Sequence, residues 1–208
     1  GKTIFLNSKG LEIQKPLTTI EDMASCLSKL SIHLSAEDWF GKALEKENIK
    51  KFITEHFTVS WEYWYRFQIP YLVRHRTFFG DIESWNVWGS IGLVQIRSLI
   101  EEINNNVSSL PKNYTDFYLY TLRHKPKRGI NASSISDISS IPRATVIRKL
   151  KTLEKNKHIM RNKRLEYFLA PKSDNLKGFE KNYLTNQKAW SDYCTTMFNL
   201  MKFSKFSI

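Results

Sequence analysis

The sequence predicts a mainly α-helical chain with one small β-hairpin, and three observations lead to that expectation. Apolar residues recur at helical spacing through most of the first 110 residues. The pattern shortens after Asn104-Asn105-Asn106 and Pro111, where turn formers cluster. Between Ile159 and Leu169 it switches to alternation, with Leu165, Tyr167 and Leu169 placed as a half-buried strand would place them.

Taken in order, Lys2 to Gln14 is a short mixed stretch, read as a strand or an ordered arm. Thr18-Thr19-Ile20-Glu21 reads as a capping box, after which Met23, Leu27, Leu30 and Leu34 keep helical spacing. Ser35-Ala36-Glu37-Asp38 is a second helix start, ahead of Trp39, Phe40, Ala43 and Leu44. A third helix is expected from about Glu47 to Phe67, with Ile49, Phe52, Ile53 and Phe57 on one side, and Pro70 is expected to break or kink a helix just beyond it. After Gly80, Asp81 to Asn106 reads as one long helix whose Gly89, Ser90 and Gly92 would let another helix approach closely. Shorter elements come next: a helix from Asn113 to Arg123, a basic turn at Lys125 to Gly129, helices at Ala132 to Ser139 and Pro142 to Lys155, then the hairpin. Beyond Pro171, Phe179, Tyr183, Leu184, Trp190, Tyr193, Met197 and Met201 predict one or two closing helices. The chain therefore divides into a helical block (1–80), a linking or dimerisation helix (81–112), a compact mixed segment (113–170) and C-terminal helices (171–208).

Composition excludes several classes. Hydrophobic content of 41% with 13% aromatic residues is globular rather than disordered. Two cysteines, Cys26 and Cys194, are too few for a disulfide framework and read as small buried hydrophobes in a reducing cytoplasm. The most apolar stretch, Trp85 to Ile100, is interrupted by Asn86, Gln95 and Arg97, so neither a membrane span nor a secretory leader is expected. His33, His56, His75, His124 and His158 show no metal-ligand spacing, and no phosphate loop or nucleophile elbow occurs. No catalytic residue, metal or cofactor is expected.

Charge is concentrated. Residues 111 to 170 hold 14 Lys/Arg against 4 Asp/Glu, while residues 1 to 110 hold 12 against 13. A local excess of that kind is the footprint of a polyanion-binding module, against the plainer reading of a solubilising face. Within it, Ile135, Ile138 and Ile141 would bury a short helix and its turn, Ser136 is small where helices cross, and Ser140 with Pro142 would start the next helix. In that helix Val146, Leu150 and Leu153 share an apolar side, and Arg143, Thr145, Arg148, Lys149, Lys151 and Thr152 occupy the opposite face. Arg161, Lys163 and Arg164 put further cations at the hairpin tip.

These residues resemble the winged helix-turn-helix of bacterial transcription regulators, especially the MarR-type family. Ile135-Ser136 stands where that pattern has Leu-Ala, Ile141 at its apolar turn residue and Thr145-Val146 at the Thr-Val of its recognition helix. Arg148, Leu150, Leu153 and Glu154 match the run into the wing. Ser140 departs from the commoner glycine, and Ile147 from a hydroxyl residue. The resemblance covers residues 113 to 170 and implies a cytoplasmic, sequence-specific regulator acting as a homodimer on a pseudo-palindromic site in double-stranded DNA, dimerised through the flanking helices. Arg143, Thr145, Ile147 and Arg148 would read bases, and Lys149, Lys151, Arg161, Lys163 and Arg164 would hold phosphates. The compact family members lack the N-terminal block. Its Trp61, Trp64, Tyr65 and Tyr71 are candidates for a small-molecule effector pocket, against the simpler reading of core filling. The rival function is an adaptor whose winged helix binds a protein or RNA partner.

Overall fold

The computed structural model describes residues 14–37, 42–105, 114–123, 128–169 and 173–204. Among them the chain is mainly helical, with one two-stranded antiparallel sheet. The elements are α1 (Gln14–Ala36), α2 (Lys46–Glu55), α3 (Phe57–Phe79), α4 (Ile82–Asn105), α5 (Tyr114–Arg123), α6 (Ala132–Ser139), α7 (Arg143–Lys155), β1 (Ile159–Arg161), β2 (Tyr167–Leu169) and α8 (Ser173–Phe203). The stretch before Gln14, the pair Trp39 and Phe40, and Lys125 to Lys127 of the basic turn lie outside the described residues.

Two compact units result, one of residues 1–68 with 189–208 and one of residues 69–188. The divisions fall inside α3 and α8, whereas the sequence pattern placed boundaries at 80 and 170. Several element readings need correction. Helix α1 begins at Gln14, so Thr18 lies within it, and no new helix starts at Ser35. His56 separates α2 from α3, and α3 passes through Pro70 without interruption. Of the one or two helices expected beyond Pro171, the structure has one, α8.

In the first unit, Ile20, Met23 and Leu27 of α1 meet Ile49, Phe52 and Ile53 of α2 and Met197 and Phe198 of α8. The Ser31 hydroxyl accepts from Leu44 N at 2.8 Å and Ser28 Oγ donates to Leu44 O at 2.8 Å, so the backbone before α2 is tied to α1. Glu21 pairs with Lys46 and Lys50, and hydrogen bonds from those lysines pull its carboxyl down to about 2. Cys194 is buried and its thiol is pushed up to about 12 by burial. Cys26 is exposed, contrary to its reading as a buried hydrophobe.

The second unit is built on α4. Val87 and Ile91 join Leu122 of α5, Ile135 of α6, Val146, Leu150 and Leu153 of α7, and Leu169 of β2 in one core. Asp81 caps α4 by accepting from Ser84 N at 2.7 Å. The strands pair Ile159 with Leu169 and Arg161 with Tyr167, and Ile130 adds a bridge to Tyr167 on the other edge. Gly129 is required there, because a Cβ would lie 2.6 Å from Phe168 and 2.8 Å from the Tyr167 carbonyl oxygen. Gly92 admits the Leu169 side chain, 3.4 Å from where its Cβ would be; at that position it is a strand, not a helix, that comes close.

Gln95 is the polar centre of this core. Its Nε2 donates to Thr121 O at 2.7 Å and its Oε1 accepts from Leu169 N at 3.1 Å, joining α4, α5 and β2. Replacing it with Leu orphans a buried carbonyl and a buried N–H, each costing about 1–3 kcal/mol. Gln95→Leu is therefore expected to lower unfolding stability by about 3 kcal/mol, read from the denaturant midpoint at unchanged slope.

His75 and His158 lie in aromatic surroundings of the same unit. His75 stacks on Trp85 at 4.7 Å, and burial with the nearby Arg74 charge lowers it from 6.5 to about 4. Burial against Phe78, Phe79 and Phe179 lowers His158 too. Both bind protons more weakly folded than unfolded, so stability is complete above the ordinary imidazole value and is lost as pH falls from 6.5 towards about 4. Urea midpoints measured from pH 7 to 4 should fall across that window, and His75→Phe should flatten the slope.

Candidate polyanion-binding face

Helix α6 is capped by Asn131, whose Oδ1 accepts from Ser134 N at 3.0 Å. It ends at Ser140, which adopts φ 55°, the left-handed region that explains a preference for glycine in this turn. Ser140 thus closes α6 and does not cap α7, whose N-cap position is Pro142. Ser136 Oγ donates to Ile141 O at 2.6 Å, locking the turn. Ile135 and Ile141 are buried as expected, but Ile138 is exposed.

With Val146, Leu150 and Leu153 turned into the core, α7 exposes Arg143, Ile147, Arg148, Lys151 and Lys155. Thr145 is half-buried at the edge of this face. Lys149 departs from its predicted place. Its Nζ lies 2.8 Å from Asp81 Oδ2 and 3.0 Å from Glu83 Oε2, and its side chain is only 13% exposed. Burial weakens its hold on a proton, but the hydrogen bonds to Asp81 and Glu83 outweigh that and keep it charged. The sequence pattern could not show this, because the partners lie more than sixty positions earlier, at the start of α4. Lys155 was missed, although it lies one turn beyond Lys151.

The hairpin tip is organised by Asn162. Its Oδ1 accepts from Arg164 N at 2.9 Å and Glu166 N at 3.0 Å, and its Nδ2 donates to Glu166 Oε2 at 2.8 Å. Leu165 N donates to Asn162 O at 3.1 Å, and Leu165 takes φ 61°. Leu165 is therefore an exposed turn residue, not the half-buried strand position expected, and Tyr167, Phe168 and Leu169 are all buried. Lys163 and Arg164 sit exposed on this turn. Arg161 is exposed too, with Nε 3.7 Å from Glu154 Oε1.

The four aromatic residues proposed for an effector pocket are not brought together as one group. Trp61 and Trp64 pack against the core of the first unit, where Trp64 meets Tyr193 edge-on at 5.6 Å. Tyr65 is exposed, and Tyr71 belongs to the second unit, edge-on to Trp85 at 5.7 Å. A separate open cleft of 620 Å³ in the second unit is lined by Arg97, Glu101, Glu102 and Arg128, with none of these aromatics. No cluster of metal-ligating side chains and no helix long and apolar enough to cross a membrane occurs among the described residues. Searches against family models, curated proteins and solved structures give no match to this chain.

Asn162→Ala removes three hydrogen bonds from the tip, each worth about 0.5–1.5 kcal/mol net. It should cost about 2 kcal/mol, with faster amide exchange confined to residues 159–169.

Proposed function

We propose that this chain is a sequence-specific DNA-binding transcription regulator of the winged helix-turn-helix kind, acting as a homodimer on a pseudo-palindromic duplex site. The observation that carries the reading is the exposed face of α7. Arg143, Arg148, Lys151 and Lys155 line it, and Lys163 and Arg164 stand on the hairpin that comes next in the same unit. Two nearby carboxylates have partners in the same unit, Glu154 beside Arg161 and Glu166 on Asn162. A helix with an apolar back and a cationic front suits a major groove, and a cationic hairpin tip suits an adjoining backbone or minor groove.

In this reading Arg143, Ile147 and Arg148 contact base edges, with Ile147 fitting a thymine methyl and Thr145 contributing from the edge. Lys151, Lys155, Arg161, Lys163 and Arg164 hold phosphates. Lys149 keeps a structural role, joining α7 to the start of α4. The MarR-like resemblance supports the order of elements, and a cytoplasmic location accords with it.

Selection of bound duplexes from a random pool at two salt concentrations tests this directly. A palindrome with a steep salt slope is expected. Arg148→Ala should relax preference at one base position, by about 1–3 kcal/mol, while Lys163→Ala should weaken all sequences alike and reduce the salt slope by about 1. Lys149→Ala should leave DNA affinity in place and lower the unfolding midpoint instead. Weak binding with no enriched motif would overturn the proposal in favour of a protein or RNA partner.

A further inference from the structure

We propose that Asp81 and Glu83, at the start of α4, set the sequence specificity of the α7 contact by holding Lys149 back from DNA phosphates. This rests on the DNA reading above and adds two acidic positioning residues to it.

Helix α7 carries five cations, Arg143, Arg148, Lys149, Lys151 and Lys155. Four of them are exposed, whereas the Lys149 side chain is only 13% exposed. Lys149 lies four residues after Thr145 and three before Thr152, so it shares their flank of the helix. Thr145 is half-buried and Thr152 exposed, which makes that flank the border between the core side and the outward face. Turned outward from this border, the ammonium would join the exposed cations. It is instead turned to α4, with Nζ 2.8 Å from Asp81 Oδ2 and 3.0 Å from Glu83 Oε2.

The second carboxylate is the informative one. Asp81 alone both caps α4, accepting from Ser84 N at 2.7 Å, and pairs with Lys149. Burial pushes its carboxyl up, but hydrogen bonds from Lys149 and Ser84 outweigh that and bring it below the ordinary value. Glu83, with a side chain 53% exposed, adds a further carboxylate to the same ammonium. Ion pairs to groups this exposed contribute little to stability, so folding does not account for it. Its consequence is competitive: a phosphate drawing on Lys149 must displace two carboxylates rather than one.

Withholding one cation matters because phosphate contacts supply affinity for every sequence, while base contacts distinguish sequences. A free lysine on the border of α7 would find a phosphate wherever the protein landed. Held on α4, it adds nothing to random binding. The same clamp ties α7 to α4, so that Arg143, Thr145 and Arg148 meet base edges at one angle. Both effects raise the ratio of specific to random affinity.

The test measures binding of the full chain to its selected duplex and to a random duplex of equal length, over a salt series, with unfolding midpoints alongside. In Asp81→Asn/Glu83→Gln, where asparagine still suits the α4 cap, random-duplex affinity should rise about fivefold and its salt slope steepen by about 0.9, one added phosphate. Affinity for the selected duplex should rise less, so that the ratio falls about threefold or more. Glu83→Gln, which keeps the Asp81 pair and the cap, should move both quantities the same way by less. Adding Lys149→Gln to the double variant should return the random-duplex slope to the wild-type value. Random binding unchanged in Glu83→Gln and in the double variant overturns the proposal, even if unfolding midpoints fall. So does a steeper slope that survives Lys149→Gln. A wild type that enriches a motif while the variants match it sinks this inference alone; a wild type that binds no duplex sinks the DNA reading and this inference together.

Discussion

Strand β2 is held to α4 by two contacts one turn apart. At Gly92 the Leu169 side chain reaches the helix backbone, and at Gln95 a side-chain amide takes the Leu169 N–H while donating to Thr121 O. Among the described residues β2 has only β1 and the isolated Ile130 bridge as ladder partners, which is too little to hold a sheet in water. Its position is therefore set by α4. The same helix receives α5 through the other end of Gln95, and Lys149 of α7 through Asp81 and Glu83.

This arrangement explains how one helix can serve opposite demands on its two sides. The inner side carries small or polar residues where backbone and strand must approach, and large apolar ones elsewhere. With α6, α7 and the hairpin all packed on that side, the cationic residues of α7 are left outward. The ion pair of Lys149 removes one charge from the exposed set and spends it on position. Three residues in the left-handed region, Ser140, Lys157 and Leu165, mark the turns that join these short elements. Each such residue carries strain that only the surrounding packing can sustain.

The aromatic stretch from Trp61 to Tyr71 divides between the two units rather than forming a single wall. Its members fill cores, as Trp64 does against Tyr193, or meet neighbouring rings edge-on, as Tyr71 does His75. Large flat side chains on one continuous helix are expected to serve whichever core lies against their turn.

The helical character, the order and bounds of α6, α7 and the hairpin, and the inner side of α7 were legible in the sequence, because periodicity records which side of an element meets the core. The concentration of cations between residues 111 and 170 was legible for the same local reason. What only the tertiary structure decided are matters between distant positions. Lys149 became a structural cation because Asp81 and Glu83 come back to it; Gln95 became the core's polar hinge because Thr121 and Leu169 converge on it. Continuity through Pro70, the separation at His56 and the exposed place of Leu165 likewise depended on packing and turn geometry. Spacing along the chain constrains one element at a time, and these assignments depend on which elements meet.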